Sequence, residues 1–151
     1  MAFILDIPIS TNSTVTAFIK DEPVCILATK ENWLTAKTDV TIYDFKDVPI
    51  ILTQKDCCYR KRFENSLIDA SIVPKVILET SSIQVIKETA LSDLGVCLLP
   101  KFTVQKELDN HSIERISYST NYNISAQLIY HKDKWISPHL LGFISTVQNC
   151  Y

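Results

Sequence analysis

The fold is decided by residues 48–100, which read VPIILTQKDCCYRKRFENSLIDASIVPKVILETSSIQVIKETALSDLGVCLLP. Three short apolar runs here have the length of buried strands, and segments with helical spacing of their apolar residues separate them. The predicted elements are a strand at Val48–Thr53, a helix at Cys57–Ala70, a strand at Lys75–Thr80, a helix from Ser81 and a strand at Val96–Leu99. This alternating order is typical of a parallel sheet with right-handed crossovers. We therefore predict an α/β fold.

Single residues predict how the two helices begin, pack and end. Ser81 followed by Gln84 fits a capping box, so Ser81 is the predicted N-cap of the second helix. Gly95 follows that helix and is predicted to adopt the left-handed conformation at its end. The first helix has a predicted buried face of apolar residues at helical spacing: Tyr59, Phe63, Leu67 and Ala70.

Segments on both sides of this stretch extend the α/β pattern. Phe3–Ile9 and Val24–Ala28 are predicted to be buried strands. In Ile124–His131 apolar residues alternate with mostly polar ones, which predicts another strand. Ser137 and Pro138 then suit the N-cap and first position of a final helix.

The composition limits the class of protein. The chain has 151 residues, of which 46% are hydrophobic, enough for one ordinary domain or two small lobes. A net charge of -2 gives no basic surface for nucleic acid. Its apolar runs are too short for a membrane span, and its first residues lack the basic region of a signal peptide. We therefore expect a cytoplasmic protein with no membrane partner.

The five cysteines, an odd number without a metal-binding spacing, indicate free thiols in a reducing compartment. Cys25 and Cys97 lie within apolar runs and are predicted to be buried. Cys57 and Cys58 are adjacent at a predicted helix start, where a thiol pKa can be lowered. A small thiol-dependent enzyme is therefore an alternative, although the histidines lie far from this pair in the sequence. We predict no catalytic residue, metal ligand or cofactor, and two glycines exclude a Gly-rich phosphate loop.

Polar residues follow the strands whose carboxyl ends are predicted to share one edge of a sheet. They are Ser10 and Thr11 after the first strand, Thr53, Gln54 and Lys55 after Val48–Leu52, and Ser81 and Ser82 after Lys75–Thr80. Hydroxyl and amide groups next to helix N-termini suit a small polar or anionic ligand. For single residues a plainer interpretation stays open, with Ser81 only capping a helix and Thr53 only ending a strand.

A basic cluster lies near the start of the first predicted helix. Its members are Lys55, Arg60, Lys61 and Arg62. We expect it to be a solvated face, partly balanced by Asp56 and Glu64.

The chain resembles the effector-binding domain of LysR-type transcriptional regulators over most of its length. Leu94-Gly95-Val96-Cys97-Leu98-Leu99-Pro100 is similar to the family's G-(L)-G-I-A-(L)-L-P signature, and Leu5-Asp6-Ile7-Pro8-Ile9 is similar to its L-D-(L/I)-A-I strand. Residues 127–135 resemble the return strand of one subgroup. Further similar segments follow in order: Pro49–Thr53, Tyr59-Arg60, Phe63-Glu64, Pro74, Ser82-Ile83 and Val85–Lys87. Where the family often has Ala-Gly before its Leu-Gly, this chain has Ser92-Asp93.

The resemblance implies a Rossmann-like, two-lobed fold of the periplasmic-binding-protein type (type 2), with the first lobe incomplete. On this basis residues 1–21 are a remnant of the first lobe, and residues 22–119 are the complete second lobe. Residues 120–151 supply the return crossover strand and the C-terminal helix of the first lobe. The resemblance also implies that an effector binds between the lobes and contacts the turns that carry Ser10, Thr11, Thr53, Gln54 and Lys55, with Ser81 and Ser82 facing the same ligand.

The implied function is that of a ligand-sensing regulatory domain rather than an enzyme. Its partner would be a small-molecule effector, and the hydroxyl-lined turns with Lys55 favour an organic anion. The family's winged helix-turn-helix is missing from this chain, so we expect no DNA contact here. An incomplete first lobe would leave a sheet edge unpaired, which predicts self-association into a dimer or higher oligomer. A stand-alone solute-binding protein is a further alternative.

Overall fold

The computed structural model describes residues 1–119 and 124–150, which form two compact units. The smaller unit comprises Met1–Glu22 and residues 124–150, and the larger unit comprises residues 23–119. Of the predicted third segment, residues 120–123 and 151 lie outside the described residues.

The larger unit alternates strands and helices. Its elements are β3 (Val24–Ala28), α1 (Trp33–Ala36), a 3-10 turn (Ile42–Phe45), β4 (Pro49–Leu52), α2 (Cys58–Asp69), β5 (Lys75–Glu79), α3 (Ile83–Leu91), β6 (Val96–Pro100), a second 3-10 turn (Lys101–Thr103), α4 (Gln105–Asp109) and β7 (Glu114–Arg115).

These strands form one five-stranded sheet in the order β5-β4-β6-β3-β7. Strand β4 runs parallel to β5 and β6, whereas β3 is antiparallel to β6 and β7. All residues of β3 and β6 are buried, as expected for strands covered on both faces. The parallel βαβαβ arrangement predicted for residues 48–99 is therefore confirmed.

Helix α2 packs against the first 3-10 turn and buries three of the four residues predicted for its apolar face, whereas Ala70 is its C-cap and is only partly buried. Tyr59, Phe63 and Leu67 are all buried. Phe63 packs edge-on against Phe45, with ring centroids 5.5 Å apart. Cys25 and Cys97 are buried in the core, also as predicted.

Helix α3 starts one residue later than the capping-box prediction. Ser82, not Ser81, is the N-cap, and its side chain accepts a hydrogen bond from the Val85 amide. The side chain of Gln84 pairs with Glu88 at 2.9 Å instead of turning back to the helix start. Adjacent serines offer the same capping group, so the sequence pattern could not choose between them.

The prediction for Gly95 is also wrong, because its φ is not positive. The left-handed residue after α3 is Asp93, with a φ of 55°. Gly95 is needed for a different reason: a Cβ atom there would lie 2.5 Å from the Pro49 carbonyl oxygen. The glycine thus lets β6 approach β4 closely.

The smaller unit contains a three-stranded antiparallel sheet and one long helix. Its elements are β1 (Ala2–Asp6), β2 (Thr14–Glu22), β8 (Ile124–His131) and α5 (Pro138–Cys150). The strand order is β1-β8-β2, and Leu128 of β8 packs against Ile144 and Val147 of α5. Ser137 accepts a hydrogen bond from the Leu140 amide, which is the predicted N-cap contact.

Strand β8 is buried on both faces at its centre, although its sequence alternates. Ser125 and Gln127 are as fully buried as Leu128. The Gln127 amide bonds to the backbone that follows β1, donating to the carbonyls of Asp6 and Ile7 and accepting from the Ile9 amide. These bonds explain why β1 ends at Asp6 rather than continuing to Ile9 as predicted.

Candidate functional site

The carboxyl ends of β4 and β5 lie side by side in the larger unit. Leu52 and Glu79 are partners in the parallel register, and the Thr80 amide donates to the Leu52 carbonyl at 3.2 Å. The turns that follow these strands are therefore neighbours. They carry five of the predicted site residues: Thr53, Gln54, Lys55, Ser81 and Ser82.

Thr53 places a buried hydroxyl at this edge of the sheet. The residue is 8% exposed, and its Oγ1 has no hydrogen-bond partner among the described residues. The Tyr59 hydroxyl lies within range of a weak hydrogen bond to this oxygen, but the contact does not have regular hydrogen-bond geometry. A buried hydroxyl without a partner costs stability, so its presence points to a role other than folding.

The buried side chain of Arg60 connects the residues of the same edge. Its guanidinium donates hydrogen bonds to the Thr53 carbonyl and, at 3.0 Å, to Glu64. It also pairs with Glu79 at 2.9 Å. Burial lowers the pKa of Arg60, but the two carboxylates outweigh that effect and hold it above its ordinary value. The side chain therefore stays charged and fixes the turn after β4 against α2.

The burial of Arg60 corrects the prediction of a solvated basic cluster. Arg60 is only 2% exposed, and its charge is matched by Glu64 and Glu79 rather than offered to a ligand. Gln54 and Lys55 are exposed, so Lys55 is the cation that this edge presents to solvent.

Two helices begin next to this edge. The Cys57 amide of α2 donates to the Gln54 carbonyl at 3.1 Å. Helix α3 is capped by Ser82, whose own amide donates to the hydroxyl of Thr80 at 3.1 Å. Ser81 is exposed between them. The N-termini of these two helices give the edge a positive potential that suits an anionic group.

The adjacent cysteines lie at the start of α2. Both are partly buried, and neither is in a disulfide. Burial raises the pKa of the Tyr59 hydroxyl, and the neighbouring Cys57 thiol raises it further. Tyr59 is therefore a neutral hydrogen-bonding group and not a base at neutral pH.

Ser10 and Thr11 lie in the smaller unit, in the segment between β1 and β2. The Thr11 hydroxyl donates to that of Thr14 at 2.8 Å, and both Ser10 and Thr11 are exposed. The buried amide of Gln127 holds the start of this segment through its bonds to Asp6, Ile7 and Ile9.

Arg60 and Gln127 were both missed as positioning residues by the sequence analysis. A signal existed for Arg60, because it borders the apolar face of its helix and has Glu64 four residues later. Gln127 interrupts an apolar strand with a side chain that can both donate and accept, which is a weaker signal.

Some classes of site find no support in the described part of the chain. Across residues 1–119 and 124–150, no three His, Cys, Asp or Glu side chains gather into a possible metal site. The helices of those residues also lack the length and apolar character needed to cross a bilayer.

Comparison with protein families gives one match over almost the whole chain. Residues 1–150 match the model described as the LysR substrate binding domain. Its curated relatives include regulators of the helix-turn-helix type.

Two relatives illustrate the extent of the similarity. The HTH-type transcriptional regulator YwqM of Bacillus subtilis (strain 168) is 32% identical over 152 residues, covering 100% of this chain and 51% of YwqM. YfiE of Escherichia coli (strain K12) is 29% identical over 102 residues, covering 67% of this chain and 35% of YfiE. This chain thus spans about half the length of YwqM and less of YfiE.

Solved structures of the same architecture include two with bound small molecules. The regulatory domain of CcmR from Synechocystis PCC6803, in complex with 2-PG, has a TM-score of 0.81 at 16% identity, covering 98% of this chain and 72% of that one. The effector-binding domain of QuiR, in complex with shikimate, has a TM-score of 0.75 at 13% identity, covering 98% and 70%. These similarities confirm the fold class predicted from the sequence.

Proposed function

This chain belongs to the family of LysR substrate-binding domains, and on that premise we propose that it senses a small organic anion for a DNA-binding transcriptional regulator. The ligand would bind at the edge formed by the carboxyl ends of β4 and β5, where open α/β sheets hold their ligands. The observation that carries this proposal is the buried, unpartnered hydroxyl of Thr53 at that edge.

The chemistry of the edge supports an anion that also carries hydroxyl groups. The N-termini of α2 and α3 and the exposed Lys55 favour negative charge. The side chains of Thr53, Gln54, Ser81 and Ser82 supply donors and acceptors for hydroxyls. The ligands of the structural neighbours QuiR and CcmR, shikimate and 2-PG, are both organic anions, and shikimate also carries hydroxyl groups. That Ser10 and Thr11 contact the same ligand stays a prediction.

The output of the sensor would require parts outside this chain. A ligand that binds one conformation better shifts the equilibrium towards it, and the shift would be passed to a DNA-binding domain.

The smaller unit supports self-association, because β1 and β2 are the outer strands of its sheet and Phe3 and Ile19 are about half exposed. Light scattering at micromolar concentration should give the mass of a dimer or larger assembly, and a strictly monomeric mass would contradict this part of the proposal.

The thiol-enzyme alternative is weaker on two grounds. The curated relatives are transcriptional regulators, and the group beside Cys57 is a tyrosine whose raised pKa prevents it from acting as a base. We therefore propose that the chain is not an enzyme and that its cysteines are structural.

The proposal is tested by thermal unfolding of the 151-residue chain with a panel of small organic acids, including shikimate, 2-phosphoglycolate, glycerate and citrate. A ligand raises the melting temperature with its concentration. We expect at least one acid to do so, and we expect Thr53→Val to reduce that response because it removes the buried hydroxyl. Sodium chloride at matched ionic strength reports the effect of charge alone.

A matched control separates site binding from general stabilisation. Thr16→Val changes an exposed threonine of the smaller unit and should leave the response unchanged. A response that is equal in wild type, Thr53→Val and Thr16→Val would show that the acids do not bind at the edge of β4 and β5.

A further inference from the structure

The larger unit contains a polar cavity that shares no residue with the edge of β4 and β5. It has a volume of about 620 Å³, within the range typical of small-ligand sites. Its lining includes Thr38, Asp39, Thr41, Arg115, Ser117 and Tyr118. The lining residues thus carry one guanidinium, one carboxylate and several hydroxyls.

One wall of the cavity is held by Asp44, which lies outside it. The Asp44 carboxylate pairs with Lys37 at 2.5 Å and accepts hydrogen bonds from the amide and hydroxyl of Thr41. Hydrogen bonding to Lys37 is the largest effect that keeps the pKa of Asp44 below its ordinary value. Lys37 and Asp44 therefore satisfy each other and fix the residues between them.

The opposite wall is an extension of the sheet. Arg115 is in register with Leu27 of β3, and the next amide, that of Ile116, donates to the Ile26 carbonyl at 2.9 Å. The Tyr118 ring packs edge-on against the buried Phe45, with centroids 5.3 Å apart. Both walls are thus held by hydrogen bonds and packing within the larger unit.

In the described part of the chain, the two charged side chains of the lining have no ion-pair or hydrogen-bond partner. Neither the Arg115 guanidinium nor the Asp39 carboxylate forms an ion pair or a side-chain hydrogen bond with any residue in 1–119 or 124–150, and the two do not pair with each other. Opposite charges that face one cavity without pairing complement a ligand that carries both signs. The guanidinium suits a carboxylate, and the carboxylate suits an ammonium group.

We propose that this cavity binds a small zwitterion of the free α-amino acid class, with the ligand carboxylate on Arg115 and its ammonium group on Asp39. The hydroxyls of Thr38 and Ser117 are placed to bind a polar side chain of the ligand. The proposal concerns residues other than those of the proposed effector site and does not depend on that site.

The experiment is calorimetric titration of the 151-residue chain with L-serine, L-alanine and L-aspartate, each compared with its relatives that lack one charge. The relatives of alanine are lactate, which lacks the ammonium group, and ethylamine, which lacks the carboxylate. We expect one or more amino acids to bind and their relatives to bind about tenfold more weakly or not at all.

Two variants test which residue binds which charge of the amino acid. Arg115→Gln should weaken amino-acid binding about tenfold, and Asp39→Asn should abolish the preference for the amino acid over its hydroxy acid. Both residues are exposed, so both variants should fold, which circular dichroism checks. Arg62→Gln and Thr53→Val, which lie outside the cavity, should leave amino-acid binding unchanged while Thr53→Val still reduces the response to organic acids.

Three results would overturn the proposal. One is the absence of heat for every amino acid at millimolar concentration. Another is a preference for alanine over lactate that stays unchanged in Asp39→Asn. The third is binding that survives both Arg115→Gln and Asp39→Asn, which would place the amino acid elsewhere.

Discussion

Arg60 of α2 lies 2.9 Å from a carboxylate oxygen of Glu79, the last residue of β5. The same guanidinium bonds to Glu64 and to the Thr53 carbonyl, so one side chain joins α2 to the ends of two strands. Its positive charge is buried, with 2% of the side chain exposed, whereas Glu64 and Glu79 are 22% and 38% exposed. The carboxylates can therefore be hydrated, but the guanidinium depends on them.

Arg60→Met should lower the free energy of unfolding by about 2–3 kcal/mol, less than is typical of a fully buried pair because Glu64 and Glu79 remain partly solvated. Urea unfolding at neutral pH measures this. Arg62→Met, on the same helix but without an ion pair among the described residues, should change it by no more than about 0.5 kcal/mol. Equal effects of the two substitutions would show that the Arg60 contacts do not stabilise the fold.

Two buried threonines should respond to valine in opposite ways. Thr53 has an unpartnered hydroxyl, so Thr53→Val should leave the free energy of unfolding unchanged or raise it by about 1 kcal/mol. Thr29 donates to Asp93 at 2.7 Å, so Thr29→Val should lower it by about 1–2 kcal/mol. Urea unfolding of both variants checks the difference. A loss at Thr53 as large as that at Thr29 would mean that its hydroxyl is satisfied in the unliganded protein.

The sequence predicts the central elements well because local pattern and tertiary burial agree there. The apolar run of β4 and the stripe of Phe63 and Leu67 on α2 have no other way to be buried. The exact ends of helices and strands are harder to predict, because neighbouring residues of equivalent chemistry compete for the terminal positions. Ser81 and Ser82 offer the same capping hydroxyl. Asp93 adopts the left-handed conformation that the sequence pattern predicts for Gly95.

The site is only partly predictable for a related reason. Residues that follow strands could be placed at a shared edge from topology alone, as Thr53 and Ser82 show. Arg60 could not be assigned its role, because one of its partners, Glu79, comes from another element that only the folded chain brings near. Gln127 depends likewise on backbone groups of a strand at the other end of the chain.

The two glycines should respond to alanine in opposite directions. A Cβ at Gly95 would lie 2.5 Å from the backbone oxygen of Pro49, so Gly95→Ala should destabilise the chain by about 1–3 kcal/mol. A Cβ at Gly142, within α5, meets no atom within 4 Å. Gly142→Ala should therefore stabilise by about 0.5–1 kcal/mol, the gain expected in a helix interior. Thermal unfolding measures both, and a neutral Gly95→Ala would mean that β6 can move away from β4 at no cost.

Stability in acid should depend on the pair that links α3 to α4. Glu107 lies 2.7 Å from Lys87, and hydrogen bonding to Lys87 is the largest effect that holds its pKa below the ordinary value of 4.5. A carboxylate whose pKa is lower in the folded state stabilises the fold above its unfolded value, and that stability is lost as the pH falls through the folded value. Glu107→Gln should thus be less stable than wild type at pH 7, and the difference should shrink below pH 4.5.

Lys87→Met tests the same pair from the other side. It should reduce the stability at neutral pH and flatten the acid dependence as Glu107→Gln does, because the carboxylate loses the partner that lowers its pKa. Urea midpoints measured between pH 3 and 7 show the slope. If the acid dependence of stability stays unchanged in both variants, other carboxylates cause it.

The thiols should react in an order set by burial. Burial raises the pKa of Cys97 to about 12, and it also raises that of Cys25 against the opposing charges of Arg115 and Lys101. Cys150 is exposed at the end of α5. Because the thiolate is the reactive form, Cys150 should react first with an aromatic disulfide reagent at pH 8, and Cys25 and Cys97 only after unfolding.

Mass spectrometry of the labelled chain identifies the reacting residues, and Cys150→Ser should remove the fastest phase. Cys57 and Cys58 are partly buried, so they should react more slowly than Cys150. The rate of Cys57 and Cys58 relative to that of Cys150 decides between the two functions considered for the chain. A thiol at the start of α2 that reacts faster than the exposed Cys150 would be an activated nucleophile, and the thiol-enzyme alternative would then displace the structural role proposed for that pair.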